Sequence, residues 1–443
     1  MTRALARYLK TFTGFDRNAR LFLLTTVVYG AAMSLYWIDF NLYLESIGIN
    51  ASTIGWLMAL SQLAGVLVAF PASALSDRLG RRKVMAAGMA LVAVALFAVL
   101  PGIPILLGVG VMAFGAGSMA VSVVQVPFIA EHTRPDQRNE YFSMWSAIGT
   151  TTGMVAALTG GALAQPVADA LGLRGAAAPY QVLLVGISML AIMGLGSVYL
   201  LRSDKPALAR VPGVGRFGMV VLHRGLFLRL LLPGFMTSLG AGQLIPFLNV
   251  FIKGKFDLDL TSLNAVFAIT SLGTTAAILA QPALARRFGR IGSIVLVQAC
   301  SIPFLLVLGF SPVLWTVIGA MAVRNSLMNA GNPIFDAFAM DRISPAERAT
   351  LSAGMTLLWA LGWTIAPVYY STLQAQLGFT AGYAVDFVTI IVLYTVSTAL
   401  LWHWFHADDH AAARQDSATP DPVPVAVPGA VFPAEGAGLI ERS

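Results

Sequence analysis

Runs of about twenty apolar residues recur along the whole chain, and they constrain every other feature. In hydrocarbon a backbone must satisfy its own hydrogen bonds, so helices are the natural crossing element. About twenty residues at 1.5 Å each span a ~30 Å core. Twelve such runs are readable: 20–44, 53–75, 84–102, 104–128, 140–163, 180–201, 226–250, 263–284, 291–310, 313–338, 350–373 and 381–404. Only "PGIP" separates the third from the fourth. Charged residues make up 11% of the 443 positions and mean hydropathy is +0.76. A soluble domain carries about 25% charged residues. The predicted class is an all-α integral membrane protein. The first run is too long for a signal-peptide core and lacks a small-residue cleavage site, so it is expected to persist as a helix.

The charges are unevenly placed. With the N-terminus inside and the spans alternating, Arg174, Lys253 and Lys255 fall outside, and Arg324 falls within a span. The other 24 of the 28 Lys and Arg residues fall on the cytoplasmic side. This positive-inside bias predicts an even number of spans and cytoplasmic termini in the cell (cytoplasmic) membrane. It also accounts for the net charge of +7 without a nucleic-acid partner. Cys300 is the one cysteine and gives no disulfide framework, zinc motif or redox motif. His403, His406 and His410 have helical spacing, but they read as a terminal polar face and not as a metal site. No metal or cofactor is expected. The expected partners are a small-molecule substrate, a proton or other coupling ion, and the lipid bilayer, around a monomer.

The two halves repeat. Asn41 in "FNLYL" matches Asn249 in "LNVFI", 208 positions later, and Gly80 matches Gly289 at 209. The loop "EHTRPDQR" (131–138) matches "DRISPAER" (341–348) at 210, with an acid, then Pro at +4 and Arg at +7 in both. The order and spacing predict two pseudo-symmetric six-helix bundles related by an axis along the membrane normal, twelve transmembrane helices in all. The predicted organisation is a cytoplasmic N-terminal segment (1–18), bundles at 19–201 and 226–404, a basic cytoplasmic loop at 202–225, and a Pro- and Ala-rich disordered tail at 405–443. "SPAE" reads as a helix start: Ser344 at the N-cap, Pro345 at the first helical position and Glu347 at the third.

The stretch "SALSDRLGRRK" resembles the signature loop of the major facilitator superfamily of secondary transporters, G-x-x-x-D-R-x-G-R-R/K. Asp77, Arg78, Gly80, Arg81 and Arg82 match, and Ser73 replaces the first glycine. The similarity covers about residues 18–405. It implies a cytoplasmic latch in which Asp77 faces the start of span 11 around Ser344 and Arg348. Arg81 would pair with Glu131 there, with Arg82 and Arg138 alongside. The second copy, "LARRFGR", carries Arg286 where the first has Asp77, so the implied gate is asymmetric.

Polar residues inside spans are costly and are functional candidates. Asp39 and Asn41 lie in span 1, Gln125 in span 4, Gln243 and Asn249 in span 7. Span 10 holds Arg324, Asn325, Asn329, Asn332 and Asp336. Spans 1, 4, 7 and 10 are the cavity helices that the resemblance implies. Arg324 would offer a planar fork to a solute or neutralise Asp39 across the cavity. Asp386 is read as interfacial. Trp37, Trp359 and Trp363 would add apolar walls.

Alternating access around a midplane site, with Asp39 as proton carrier, is the expected mechanism. The superfamily's drug–proton exporters carry an Arg in helix 4 and G-P-x-x-G-G in helix 5. Here Val111 stands in the first, and "GTTTGMVAALTGG" has no proline. The reading is efflux of a small organic solute. Uptake of a polar or anionic metabolite and a non-transporting receptor on the same fold are the alternatives. No nucleotide-binding "GxxxxGK[ST]" loop occurs, so neither ATP-driven transport nor an enzyme is expected.

Overall fold

The computed structural model describes residues 12, 14–134, 138–202, 223–270, 290–344 and 347–418. Among them every regular element is a helix. The first bundle holds α1 (Arg17–Ser46), α2 (Ala51–Leu79), α3 (Arg81–Val99), α4 (Pro104–His132), α5 (Arg138–Ala170) and α6 (Ala178–Tyr199). The second holds α7 (Arg224–Phe256), α8 (Leu260–Thr270), α9 (Arg290–Phe310) and α10 (Leu314–Asp341). It ends with α11 (348–377) and α12 (379–418), which meet at Gly378. Among the described residues nine helices are long and apolar enough to cross a membrane, with α11 and α12 counted as one. The short "PGIP" link does separate two helices, because α3 ends at Val99 and α4 starts on Pro104.

Punctuation follows local chemistry. Asn50 Oδ1 accepts from Thr53 N–H at 2.8 Å and caps α2. Asp259 Oδ2 accepts from Thr261 and Ser262 N–H ahead of α8. Hydrogen bonds, chiefly from Ser262, hold its carboxyl below the usual carboxylate range. Gly80 joins α2 to α3 at φ +93°, and Gly378 turns α11 into α12 at φ +71°. L-residues with a side chain rarely adopt either conformation.

The helices pack through small residues and hydroxyl pairs, as they do where lipid supplies no hydrophobic drive. A Cβ on Gly88 of α3 would strike the Gly117 carbonyl of α4, and the reverse also holds. First and last helices of each bundle share a buried hydroxyl pair: Thr25 with Ser197 at 2.8 Å, and Thr237 with Ser397 at 3.1 Å. Helix ends are capped in parallel ways. The Tyr43 hydroxyl donates to the Leu100 carbonyl beyond α3, and Lys255 Nζ donates to the Gly309 carbonyl of α9, both at 2.8 Å. Leu67, Val94, Ile105 and Trp315 stand exposed on the outside, as lipid-facing side chains do. Cys300 is exposed as well.

Gly88→Leu should force α3 from α4 and cost about 1–3 kcal/mol. A Cβ on Gly30 meets nothing within 4 Å, so Gly30→Ala should not lower stability. Melting temperatures of the two variants in detergent check the contrast.

Candidate functional site: a clamp across the bundles and a polar cavity

One end of the molecule, here the basic end, carries Arg81, Arg82, Arg134, Arg202 and Arg224 at helix termini. The opposite end carries Glu45 and Lys253, at the ends of α1 and α7.

At the Lys253 end the bundles are fastened together. Asn41 Nδ2 of α1 donates to the Pro246 carbonyl of α7, and Asn249 Nδ2 of α7 donates to the Ile38 carbonyl of α1. One turn further out, Lys253 Nζ donates to Glu45 Oε2 at 2.9 Å, across a separation of 208 positions. The same offset relates 41 to 249 and 38 to 246. The contact is therefore reciprocal about a pseudo-two-fold axis between α1 and α7, as in an isologous interface. Local structure allows it. α7 passes through a 3₁₀ turn at Ile245–Phe247, and Val250 N–H donates to Asn249 Oδ1 at 2.9 Å.

Flanking crossings complete the closure. Asn264 Nδ2 of α8 donates to Asp39 Oδ1 at 2.9 Å, and Thr261 Oγ1 donates to the Gly161 carbonyl of α5 at 2.8 Å. On the other side of the axis α2 meets α11, where a Cβ on Gly55 would strike the Pro367 carbonyl and Ser371. Lys253 also lies 5.6 Å from the Tyr180 ring centroid. Trp37 and Trp363 meet edge to face across the bundles, with ring centroids 6.0 Å apart.

Below Trp37 lies a cavity of about 590 Å³, which reaches past Tyr29 to Phe22 and Trp145, toward the basic end. Faces of α1, α4 and α5 wall it, together with Gln62 of α2. Gln125 lines it. The volume lies within the ~300–1,000 Å³ typical of small-molecule sites.

The remaining sequence candidates have other surroundings. Asp39 is buried beside Asn264, and its Oδ2 has no hydrogen-bond partner. Arg324 is also buried. Its fork donates to Asn325 Oδ1 and to the Tyr394 hydroxyl of α12, both at 3.1 Å, and not to Asp39. Gln243 is buried with its side-chain oxygen unpartnered. Trp363 Nε1 is buried without a partner, and the Trp359 carbonyl accepts from Ser238 at 2.6 Å. Asp386, expected at the interface, is 1% exposed, and neither carboxylate oxygen is hydrogen-bonded.

At the basic end Arg81 Nε lies 3.2 Å from Glu131 Oε1, and Arg81 Nη1 donates to Ser76. Arg82 donates to the Tyr199 carbonyl at 3.1 Å, over the Tyr199 ring, and so ties α3 to the end of α6. Arg78 is exposed. Ser344 donates to Glu347 Oε2 at 2.7 Å, and α11 begins after Glu347, at Arg348. His223 N–H donates to Glu347 Oε1 at 3.2 Å, and Pro345, expected at the first helical position, lies outside the described residues. The side chains of Asp77, Arg138, Asn329, Asn332, Asp336 and Arg348 lie outside the described residues, as do Arg286 and Gly289. Among the described residues no group of His, Cys, Asp and Glu could hold a metal ion.

The model of the Major Facilitator Superfamily matches residues 22–367, and the chain belongs to that family. No curated protein matches the sequence. Among solved structures, a point mutant of the nucleoside transporter NupG is 15% identical, with a TM-score of 0.71 over 88% of this chain and 100% of that one. A bacterial homolog of the human lysosomal transporter Spinster, inward-facing and occupied, is 14% identical, with a TM-score of 0.69 over 88% and 97%. The human organic anion transporter MFSD10 (TETRAN) is 16% identical, with a TM-score of 0.57 over 87% and 99%.

Reversing one member of the axial ion pair tests the clamp. In a Cys300→Ser background, a cysteine at Ser34 in the cavity should react faster with an impermeant thiol reagent supplied from the Lys253 side once Glu45→Lys is added. Adding Lys253→Glu as well should return the rate to the parental value. Because Glu45 and Lys253 are 42% and 27% exposed, the swap should move stability by less than about 1 kcal/mol.

Proposed function

We propose that this chain is a proton-coupled secondary transporter of a small organic solute, in which the two bundles rock about the α1/α7 contact. One observation carries the reading: the bundles are clamped at the Lys253 end while a polar cavity runs toward the basic end. That is half of an alternating-access cycle. The positive-inside bias assigns the basic end to the cytoplasm, so the clamp is the outer gate.

Asp39 is the proposed proton carrier. Its Oδ1 accepts a hydrogen bond from the other bundle, and its Oδ2 is free to take a proton. An ionised carboxylate is the stronger acceptor for Asn264. Protonation therefore weakens a bond that crosses the gate, which links proton binding to opening. The Arg81–Glu131 pair supports a cytoplasmic latch that includes Asp77, because it fixes the turn after α2 to the end of α4. Two of the solved structures named above are a nucleoside transporter and an organic anion transporter by their titles, and at 15% and 16% identity neither cargo transfers by likeness.

Reconstituted protein should accumulate at least one member of a panel of neutral, anionic and cationic solutes when a pH gradient is imposed, and the sign of the gradient reads co-transport against exchange. Asp39→Asn should keep solute exchange and lose gradient-driven accumulation. Undiminished accumulation by that variant removes Asp39 from the mechanism, and no net movement of any solute removes the transport reading.

A further inference from the structure

The charge of the solute can be read from the cavity wall. The described residues around the 590 Å³ space include Thr25, Thr26, Ser118, Ser122, Gln62 and Gln125, and among the described lining residues there is no Asp, Glu, Lys, Arg or His. The two buried spanning charges bonded elsewhere, Asp39 to Asn264 and Arg324 to Tyr394 and Asn325, are not in the wall. An ion moved from water into such a space would lose hydration with no countercharge to replace it.

The wall is nevertheless built for hydrogen bonding. Ser118, Ser122 and Gln125 follow at steps of four and three on α4, which puts them on one face. The α4 serines and Thr26 donate to carbonyls of their own helices, so their oxygens remain as acceptors, whereas Thr25 is paired with Ser197. Gln62 and Gln125 each offer two donors and an acceptor. Tyr29 is the sharpest indicator. It lines the cavity, is 6% exposed, and its hydroxyl has no hydrogen-bond partner. A buried hydroxyl left unpaired is costly, and a ligand that supplies the partner removes the cost. Trp37, Phe114 and Trp145 add ring faces for stacking. Gly30 and Gly149 keep the floor open, since a Cβ on the first meets nothing and on the second meets only Thr26, at 3.9 Å. The second cavity, of about 340 Å³ among Leu230, Phe235, Ile294, Phe335, Met355 and Leu401, is mainly apolar and offers no equivalent.

We infer that the cavity of the first bundle binds an uncharged, ring-bearing solute rich in hydroxyl or amide groups, with the Tyr29 hydroxyl and the Gln125 amide as its polar anchors. The inference rests on the transport reading for its biological use but not for its test, which is a binding measurement. Quenching of tryptophan fluorescence in detergent would be titrated with uridine and with glucose, each beside its monophosphate. Saturable binding is expected from at least one neutral member, at least tenfold tighter than its phosphorylated form. Tyr29→Phe and Gln125→Leu should each weaken it about three- to tenfold, the loss of one neutral hydrogen bond, with an unchanged melting temperature. Gly30→Leu should fill the space and abolish it. Equal or tighter binding of the phosphorylated partner, no binding by either neutral probe, or unchanged affinity in both anchor variants would overturn the inference. A neutral probe that binds but is never moved across proteoliposomes would instead count against transport and leave the binding site standing.

Discussion

Two asparagine side chains hold the bundles in register where the pseudo-two-fold axis passes between α1 and α7. Each donates from its amide nitrogen to a backbone carbonyl of the opposite helix. In hydrocarbon such a bond has no water competing for it, and an unsatisfied amide there is expensive. The clamp thus closes the Lys253 end between the bundles, and the cavity walled by the first bundle lies below it. The symmetry is geometric but not chemical. α1 runs unbroken through its half of the contact, whereas α7 interrupts itself with a 3₁₀ turn at Pro246.

The charges around the clamp do different work from the amides. Glu45 and Lys253 occupy the same place in the two repeats and attract across the axis, but water reaches both, so their pairing steers more than it stabilises. Asp39 lies deeper, bonded to the other bundle through one oxygen only. The contact thus combines a neutral amide clamp, a solvent-exposed ion pair and one buried acid with a single hydrogen-bonded oxygen.

Much of this was legible in the sequence, for identifiable reasons. The apolar runs set the helices because hydrocarbon tolerates few alternatives, and "PGIP" set a break because proline leaves little choice, whereas the positive φ at Gly378 emerged only with the structure. The offset of 208 exposed Asn41 and Asn249, and applied once more it would have exposed Glu45 and Lys253, of which only Lys253 was read, as a charge on the outer side. Partner identities were not legible. Asn264 sat at the expected edge of its span, although it bonds Asp39. Tyr394 is one apolar-looking residue on an apolar helix, and nothing in its local pattern marks it as the partner of Arg324. Tyr29 and the α4 serines score weakly on any hydropathy measure, so a cavity built from hydroxyls leaves little trace. Glu347 read only as the third helical position of a capped start, because only the fold brings His223 to it.

The central claim is that the two ends of the molecule open in alternation about the α1/α7 contact. Distances between paired spin labels test it directly, with one pair at the Lys253 end (Trp56→Cys and Ser262→Cys) and one at the basic end (Arg134→Cys and Arg224→Cys), in a Cys300→Ser background. In liposomes at acidic pH with solute present, the account predicts that the first distance lengthens while the second shortens. Two distances that stay fixed, or that lengthen together, would contradict it.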